Sequence, residues 1–267
     1  MFRKRLIVSI FMVPIVIGVA VMGDIVFTLA ITLVMGLAAW EFWRMFKNGG
    51  YAPSAVLLIG GTVVLTIRNA IPSLSLEFML TLLVLITMSF HVLAFEQGKK
   101  SAALDFCITF GGILYLGLLG GYLVMLRDLP DGFWWLLVVL PAAWFADLGG
   151  YFLGRRFGKH PLAPRLSPKK TWEGYFGGIL LGVLGTGLMG ALWHMRVPQI
   201  TFSSGFIIGG LLSLILPLGD LGESLFKRQF EIKDSSNIIP GHGGVLDRID
   251  TWIWAAAIGY YIVRYIV

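Results

Sequence analysis

The chain has 267 residues, of which 57% are hydrophobic and only 13% are charged, whereas an average globular protein has about 25% charged residues. This composition excludes a soluble globular domain and indicates an integral membrane protein. The net charge of +6 would suit nucleic acid, but in so apolar a chain it indicates cytoplasmic loops and anionic phosphate partners, so we expect no nucleic acid.

Apolar runs separated by charges or by Gly and Pro follow one another along the whole sequence, and a spanning helix needs roughly 20 such residues. The first run follows Arg3, Lys4 and Arg5 like a signal peptide, but its length and the apolar run directly after it favour an uncleaved membrane helix. We therefore predict an all-α, polytopic integral membrane protein with about nine transmembrane helices. The predicted spans are residues 5–22, 25–46, 53–70, 76–95, 102–126, 133–153, 173–194, 202–222 and 248–266.

The distribution of basic residues predicts the orientation. With a cytoplasmic N-terminus, 17 of the 21 Lys and Arg residues fall on the cytoplasmic side, which is a strong positive-inside bias. The two longest loops, 154–172 and 223–247, then also face the cytoplasm. We divide the chain into an N-terminal membrane-helix region, 1–130, and a C-terminal region, 131–267, which carries both loops.

Residues 224–250 hold an unusual density of polar groups around a turn rich in glycine. Such groups are costly at a membrane, so they mark function or are paired with nearby polar groups. Helical spacing places Asp220, Glu223, Ser224 and Lys227 on one face, and it does the same for Asp247 and Asp250 at the start of the last span. Taken separately, these sets also fit a salt-bridged helix end or a helix cap.

Phosphate chemistry explains this mixture of residues. Mg²⁺ takes carboxylate oxygens together with substrate phosphates, and Lys and Arg neutralise the remaining phosphate charge. Glycine turns expose backbone N–H groups to anions. His242 fits either donation to a phosphate or acid catalysis, but a packed loop histidine is an alternative.

The loop at 154–172 repeats the theme. Asp147 lies in or near the membrane at the end of the sixth span, where an acid is a functional candidate by default. Arg155 and Arg156 fit anchoring to anionic lipid equally well. The run at 167–174, Ser-Pro-Lys-Lys-Thr-Trp-Glu-Gly, contains more than anchoring requires.

These stretches resemble the CDP-diacylglycerol synthases, a family also called phosphatidate cytidylyltransferases. The resemblance is nearly unbroken over the 27 residues 224–250, and Asp147 with the Gly-Gly-Tyr motif shortly after it and residues 167–174 match other recurring stretches of the family. It is strong from about residue 141 to 250 and weak in the N-terminal half.

The resemblance implies an enzyme that converts CTP and phosphatidate to CDP-diacylglycerol and pyrophosphate with Mg²⁺. It also implies a homodimer in contact with membrane lipids. We expect a multi-pass protein of the cell (inner) membrane, with its active site at the cytoplasmic surface. That site would be open sideways to lipid and downward to water.

Within that reaction we assign roles as hypotheses, including a two-metal site. The metal ligands would be Asp220 and Asp247, with Asp250 and Glu223 as secondary candidates. The phosphate-binding cations would be Lys169, Lys170, Lys227, Arg228, Lys233 and Arg248. His242 would line the triphosphate pocket, and Asp147 would orient a lysine or assist the metal. Further substrate contacts are assigned to Ser167, Thr171, Glu173, Ser224, Asp234, Gly243 and Gly244.

Two other functions are to be compared with this one, of which the first remains open from the residues. Asp147 and Asp220 in glycine-rich helices would suit an ion-coupled transporter, although the acids lie on one predicted side of the membrane. A CDP-alcohol phosphotransferase would need a helix-pair motif that this sequence lacks. Glu41 and Glu77, near span ends, are expected to be interfacial or packing residues.

Overall fold

The computed structural model describes residues 2–71, 73–239, 241 and 243–267, with side chains from Ile10 onward except at position 11. In this part of the chain the regular structure consists of ten α-helices, two short strands, a 3₁₀ turn at Arg68–Ala70 and a π-helical stretch at Ile113–Leu118. The helices are α1 Phe2–Met22, α2 Asp24–Asn48, α3 Ala55–Ile67, α4 Leu76–Glu96, α5 Ala102–Gly112, α6 Leu119–Arg127, α7 Gly132–Phe157, α8 Trp172–Trp193, α9 Phe202–Gln229 and α10 Leu246–Tyr265, and the strands are β1 Pro161–Ala163 and β2 Ser167–Thr171.

The helical membrane fold is confirmed. Among the described residues, six helical segments are long and apolar enough to cross a membrane: Asp24–Asn48, Leu76–Glu96, Ala102–Arg127, Gly132–Phe157, Trp172–Trp193 and Phe202–Gln229. Two apolar stretches, Met12–Met22 and Ala55–Ala70, are shorter. The count of nine spans and the cytoplasmic N-terminus stay predictions.

One local feature departs from the all-α prediction. β1 and β2 form an antiparallel hairpin in which Pro161 is paired with Thr171 and Ala163 with Ser167. The N–H of Trp172 donates to the carbonyl of His160 at 2.9 Å and closes the hairpin at its base. Prolines along this stretch disfavour a helix interior, so the segment reverses direction between α7 and α8 as a hairpin.

The chain forms two compact units. The first comprises Met1–Met125 and Phe230–Arg248, and the second comprises Leu126–Gln229 and Ile249–Val267. The predicted regions 1–130 and 131–267 describe the sequence order, and that division stays a prediction.

In the first unit, α3 packs beside a π-helical stretch, Ile113–Leu118, that joins α5 to α6. A side chain at Gly117 would lie 2.9 Å from the Cα of Thr62, so the two backbones are in contact there. Leu65, Met79, Leu83 and Ile113 form an apolar cluster next to this crossing.

In the second unit, α7, α8 and α9 approach one another through glycines. A Cβ atom at Gly149 would lie 2.2 Å from the carbonyl oxygen of Gly177, and one at Gly205 would lie 2.3 Å from that of Thr186. Lipid provides no hydrophobic driving force between membrane helices, so close backbone packing supplies much of their attraction. These crossings hold the helix ends that form the cavity described below.

Candidate active site

The second unit contains a cavity of about 210 Å³ between α7, α8, α9, the first turns of α10 and the hairpin. Its lining includes the predicted site residues Asp147, Lys169, Lys170, Thr171 and Asp220. The lining also includes the small or apolar residues Ala143, Gly178 and Leu216. On its helix, each of them lies about one turn from a polar residue that also lines the cavity. The cavity therefore combines a charged part with an apolar part.

The hairpin supplies the lysines of this cavity and the helices supply the carboxylates. Lys170, on β2, forms an ion pair with Asp220, on α9. Asp147, on α7, is close enough for both charges to act on it. The Lys170 ammonium therefore lies near two carboxylates, those of Asp147 and Asp220, which are 73 residues apart in the sequence.

A proline shapes the α9 wall. Pro217 has no N–H, so it cannot bond the carbonyl of Ser213 one turn earlier, and both residues line the cavity. Next to this break, the hydroxyl of Tyr175 donates to the carbonyl of Leu214 at 2.9 Å. The bond fixes α8 to α9 where the helix ladder is interrupted.

The base of the hairpin is fixed by two residues that were assigned to substrate. Glu173 accepts the backbone N–H groups of Lys159 at 3.1 Å and His160 at 3.3 Å, and it contacts the His160 ring at 2.6 Å. Thr171 caps α8 by accepting the N–H of Gly174 at 3.2 Å. Both residues therefore hold the hairpin in place, while Ser167 begins β2.

The last turns of α9 carry a buried ion pair. Glu223 is 1% exposed, and Lys227 donates to it at 2.5 Å. Arg228 donates to the carbonyl of Leu166 at 3.4 Å and so ties α9 to the hairpin turn. Ser224, between them, is half-buried.

Asp250, on α10, is buried at 6% exposure. It accepts the N–H of Thr251 at 2.7 Å and the hydroxyl of the same residue at 3.1 Å. The charges of Asp220 and Lys227 both act on it, so it belongs to the same electrostatic neighbourhood as the cavity.

In the first unit, Asp247 organises the glycine-rich loop. Its Oδ2 accepts the N–H groups of Ser235 at 2.9 Å and Gly244 at 2.8 Å, and it lies 2.9 Å from the Ser235 hydroxyl. Gly243 has φ +82°, a left-handed conformation that favours glycine. Lys233, Asp234 and Arg248 are exposed, whereas His242 lies outside the described residues.

Comparison with known proteins decides the family. The model of the cytidylyltransferase family matches residues 3–266. The chain belongs to this family. It is 33% identical over 292 residues to the phosphatidate cytidylyltransferase of Synechocystis sp., covering 97% of this chain and 96% of that protein. It is also 33% identical over 260 residues to that of Pseudomonas aeruginosa, covering 94% and 93%. The resemblance inferred from residues 141–250 is confirmed, and it extends across nearly the whole chain.

The metal ligands stay a prediction. In the part of the chain that the structure describes, no three His, Cys, Asp or Glu side chains are grouped at metal-binding spacing. Asp147 and Asp220 are the two carboxylates in the cavity lining. Glu223 is paired with Lys227, and one oxygen of Asp247 is engaged by the loop.

Sequence reasoning missed several residues of structural importance. Tyr175 and Thr251 line the cavity, and His160 contacts Glu173; none of them lies in a pattern that would have drawn attention alone. Glu41 was assigned to the interface or to packing, but it is fully buried and contacts the glycine-rich loop. An acid within the apolar run at 25–46 was the available signal.

Proposed function

We propose that this chain is a CTP:phosphatidate cytidylyltransferase, which transfers CMP from CTP to phosphatidate and releases pyrophosphate. Membership of the cytidylyltransferase family and the two nearly full-length relatives named for this activity support the proposal. The single structural observation that carries it is the cavity in which Lys169, Lys170, Asp147 and Asp220 meet small apolar residues. Phosphate groups need the cations, and a lipid substrate needs the apolar part.

In the proposed reaction, a phosphate oxygen of phosphatidate attacks the α-phosphorus of CTP. A new P–O bond forms as the bond to the β-phosphate breaks, and the electron pair leaves with pyrophosphate. The nucleophile is already anionic near neutral pH, so no strong base is required. The protein must instead bring two polyanions together and stabilise the charge on the α-phosphate and the leaving group.

Lys169 and Lys170 are our candidates for binding those phosphates. Asp220 holds the Lys170 ammonium in place, which reduces the conformational freedom that binding would otherwise remove. Lys227, Arg228, Lys233 and Arg248 stay candidates for further phosphate contacts.

The donor set of the cavity fits Mg²⁺. This ion is commonly held by one or two carboxylates together with substrate phosphates, and Asp147 and Asp220 supply two carboxylates. When bound, Mg²⁺ would neutralise charge on the nucleotide phosphates. Asp250 is the next candidate because Asp220 acts on it electrostatically. A second metal, Asp247 and Glu223 as ligands, and the homodimer stay part of the proposal.

We also propose that the site faces the cytoplasm from the inner membrane. The positive-inside distribution of Lys and Arg supports this orientation. Phosphatidate keeps its acyl chains in the bilayer, so its headgroup has to meet CTP at the membrane surface. Helix ends that combine charged and apolar lining residues are suited to that level.

Purified protein in mixed micelles with phosphatidate, CTP and Mg²⁺ tests the function. We expect CDP-diacylglycerol and pyrophosphate in equal amounts, no product with ATP in place of CTP, and loss of activity with a chelator. Asp220→Asn should abolish turnover, whereas Glu77→Gln, at an exposed position, should retain it. Absence of CTP-dependent product from well-folded protein would reject the proposal, and solute uptake into liposomes without CTP would favour a transporter.

A further inference from the structure

Glu41 is a fully buried acid with an unusually complete set of hydrogen-bond donors. It is 0% exposed, yet its carboxylate accepts backbone N–H groups from Val245 at 2.9 Å and Leu246 at 2.7 Å. It also accepts the hydroxyl of Ser236 at 2.5 Å, and its Oε2 lies 3.0 Å from the hydroxyl of Ser235. Each oxygen thus accepts one backbone N–H, and the acceptor sites that remain on the carboxylate face the two serine hydroxyls. The Ser235 hydroxyl has one proton to share between Glu41 and Asp247.

These contacts connect Glu41 to a predicted site residue. The Ser235 hydroxyl lies 3.0 Å from Oε2 of Glu41 and 2.9 Å from Oδ2 of Asp247, so it faces both carboxylates. The N–H of Ser235 also donates to Asp247. One serine therefore links the position of Glu41 to that of Asp247.

The packing around Gly244 shows how closely this arrangement is fitted. A Cβ atom at Gly244 would lie 2.1 Å from the Ser235 hydroxyl and 2.5 Å from Oε2 of Glu41. Space for the carboxylate is therefore a sufficient reason for glycine at this position. Close approach of a phosphate is not needed to explain it.

A purely packing role does not account for a buried acid here. Burying a carboxylate is costly unless it is fully hydrogen-bonded, and an apolar side chain of similar volume often stabilises a buried position at least as well. The donors come from both ends of the loop, at residues 235–236 and 245–246. A carboxylate between them fixes the two ends relative to each other.

We propose that Glu41 is a positioning residue for the site loop, the part of the glycine-rich loop that comprises residues 235–239 and 243–247, and that it acts on the reaction through Ser235 and Asp247. The structural part of this inference rests on the contacts above. Its catalytic part rests on the proposed function.

Glu41→Gln tests the structural part directly by amide hydrogen exchange in detergent micelles. The substitution replaces one carboxylate oxygen by an amide NH₂ group. Because each oxygen accepts a backbone N–H, either orientation of the amide places this NH₂ donor against the N–H donor of Val245 or Leu246. We expect exchange at Val245 and Leu246 to become about tenfold faster, while peptides from α7, α8 and α9 keep their rates. Glu77→Gln makes the same chemical change at an exposed position and should leave the site loop unaltered.

Activity measurements with Ser236 variants test the positioning role. Ser236→Ala removes one donor to Glu41 and should lower kcat about threefold to tenfold. Ser236→Thr keeps the hydroxyl at a half-buried position and should restore most of the activity. Ser236→Ala should lower kcat by a smaller factor in the Glu41→Gln variant than in the parent protein, because both changes act on one hydrogen-bond network.

The inference is overturned if exchange at the site loop is unchanged, if it rises uniformly along the chain, or if Ser236→Thr is as defective as Ser236→Ala. The exchange experiment needs no turnover. If the parent protein makes no CDP-diacylglycerol but the localised exchange appears, the proposed function fails and the structural anchoring of the loop by Glu41 stands.

Discussion

Replacing Gly149 by Ala tests whether the close crossing of α7 and α8 holds the active-site cavity in shape. The added Cβ would lie 2.2 Å from the carbonyl oxygen of Gly177 and 2.8 Å from its carbonyl carbon. A relaxed carbon–oxygen contact is about 3.3 Å, so the two backbones must separate by roughly 1 Å. Neither contact involves a flexible side chain that could turn away.

The expected cost follows from opposing effects. Overpacking against rigid atoms costs about 3 kcal/mol, and the gain in helix propensity from Gly to Ala offsets about 1 kcal/mol of it. The net loss is about 2 kcal/mol, which corresponds to a Tm lower by about 4–8 °C. Asp147 and Lys170 would also move apart on the scale of 1 Å, and such a misplacement can reduce turnover about 100-fold.

Tryptophan fluorescence on heating in detergent measures the Tm, and CDP-diacylglycerol formation well below the Tm measures the turnover. Gly210→Ala is the matched control, because its Cβ would lie 3.7 Å from Val183, an ordinary contact. We expect that variant to be as stable as the parent or slightly more so. The reasoning is refuted if Gly149→Ala matches Gly210→Ala in both Tm and turnover.

Three further predictions concern the charged residues and the glycine-rich loop. Lys170→Met should lower kcat about 100-fold or more through loss of charge stabilisation. The Tm should change little, because a partly exposed ion pair contributes at most about 1 kcal/mol. A variant that retained a third of the activity would contradict this prediction. Gly244→Ala should speed amide exchange in the site loop as Glu41→Gln does, since the methyl group occupies the space of the carboxylate. Unchanged exchange together with a higher KM for CTP would instead indicate that Gly244 lets a phosphate of CTP approach the backbone. Glu173→Gln should increase tryptic cleavage after Lys159, because two charge-assisted hydrogen bonds to the hairpin base are weakened. An unchanged cleavage rate would show that the hairpin does not depend on these two bonds.

Local patterns predicted the helical framework well. Helices α2, α4, α7, α8 and α9 coincide with predicted spans to within a few residues at most ends, because a run of apolar residues between charges is visible in a short window. The α9 helix continues to Gln229, several residues past the predicted end of its span. Polar residues do not stop a helix that leaves the apolar layer.

The candidate site was predicted in part. The charged positions of residues 141–250 drew attention because charges are rare in this chain, and the cavity unites Asp147, Lys170 and Asp220. The hairpin was not predicted, because its pairing links residues across a turn and leaves little periodicity in so few positions. The structural roles of Thr171 and Glu173 follow from that hairpin and were missed with it.

The sequence by itself determined the class of protein, its succession of apolar helices and, through one dense run of motifs, its family. Those properties depend on residue type and on neighbours within a few turns. Only the tertiary structure decided that Glu41 bonds Ser235, 194 residues later, and Leu246, 205 residues later. It also decided that Gly149 must lack a side chain because Gly177 lies against it. Apolar periodicity shows that a helix is buried, but the partner of each buried group depends on how distant segments pack, and a single sequence does not encode that in any local pattern.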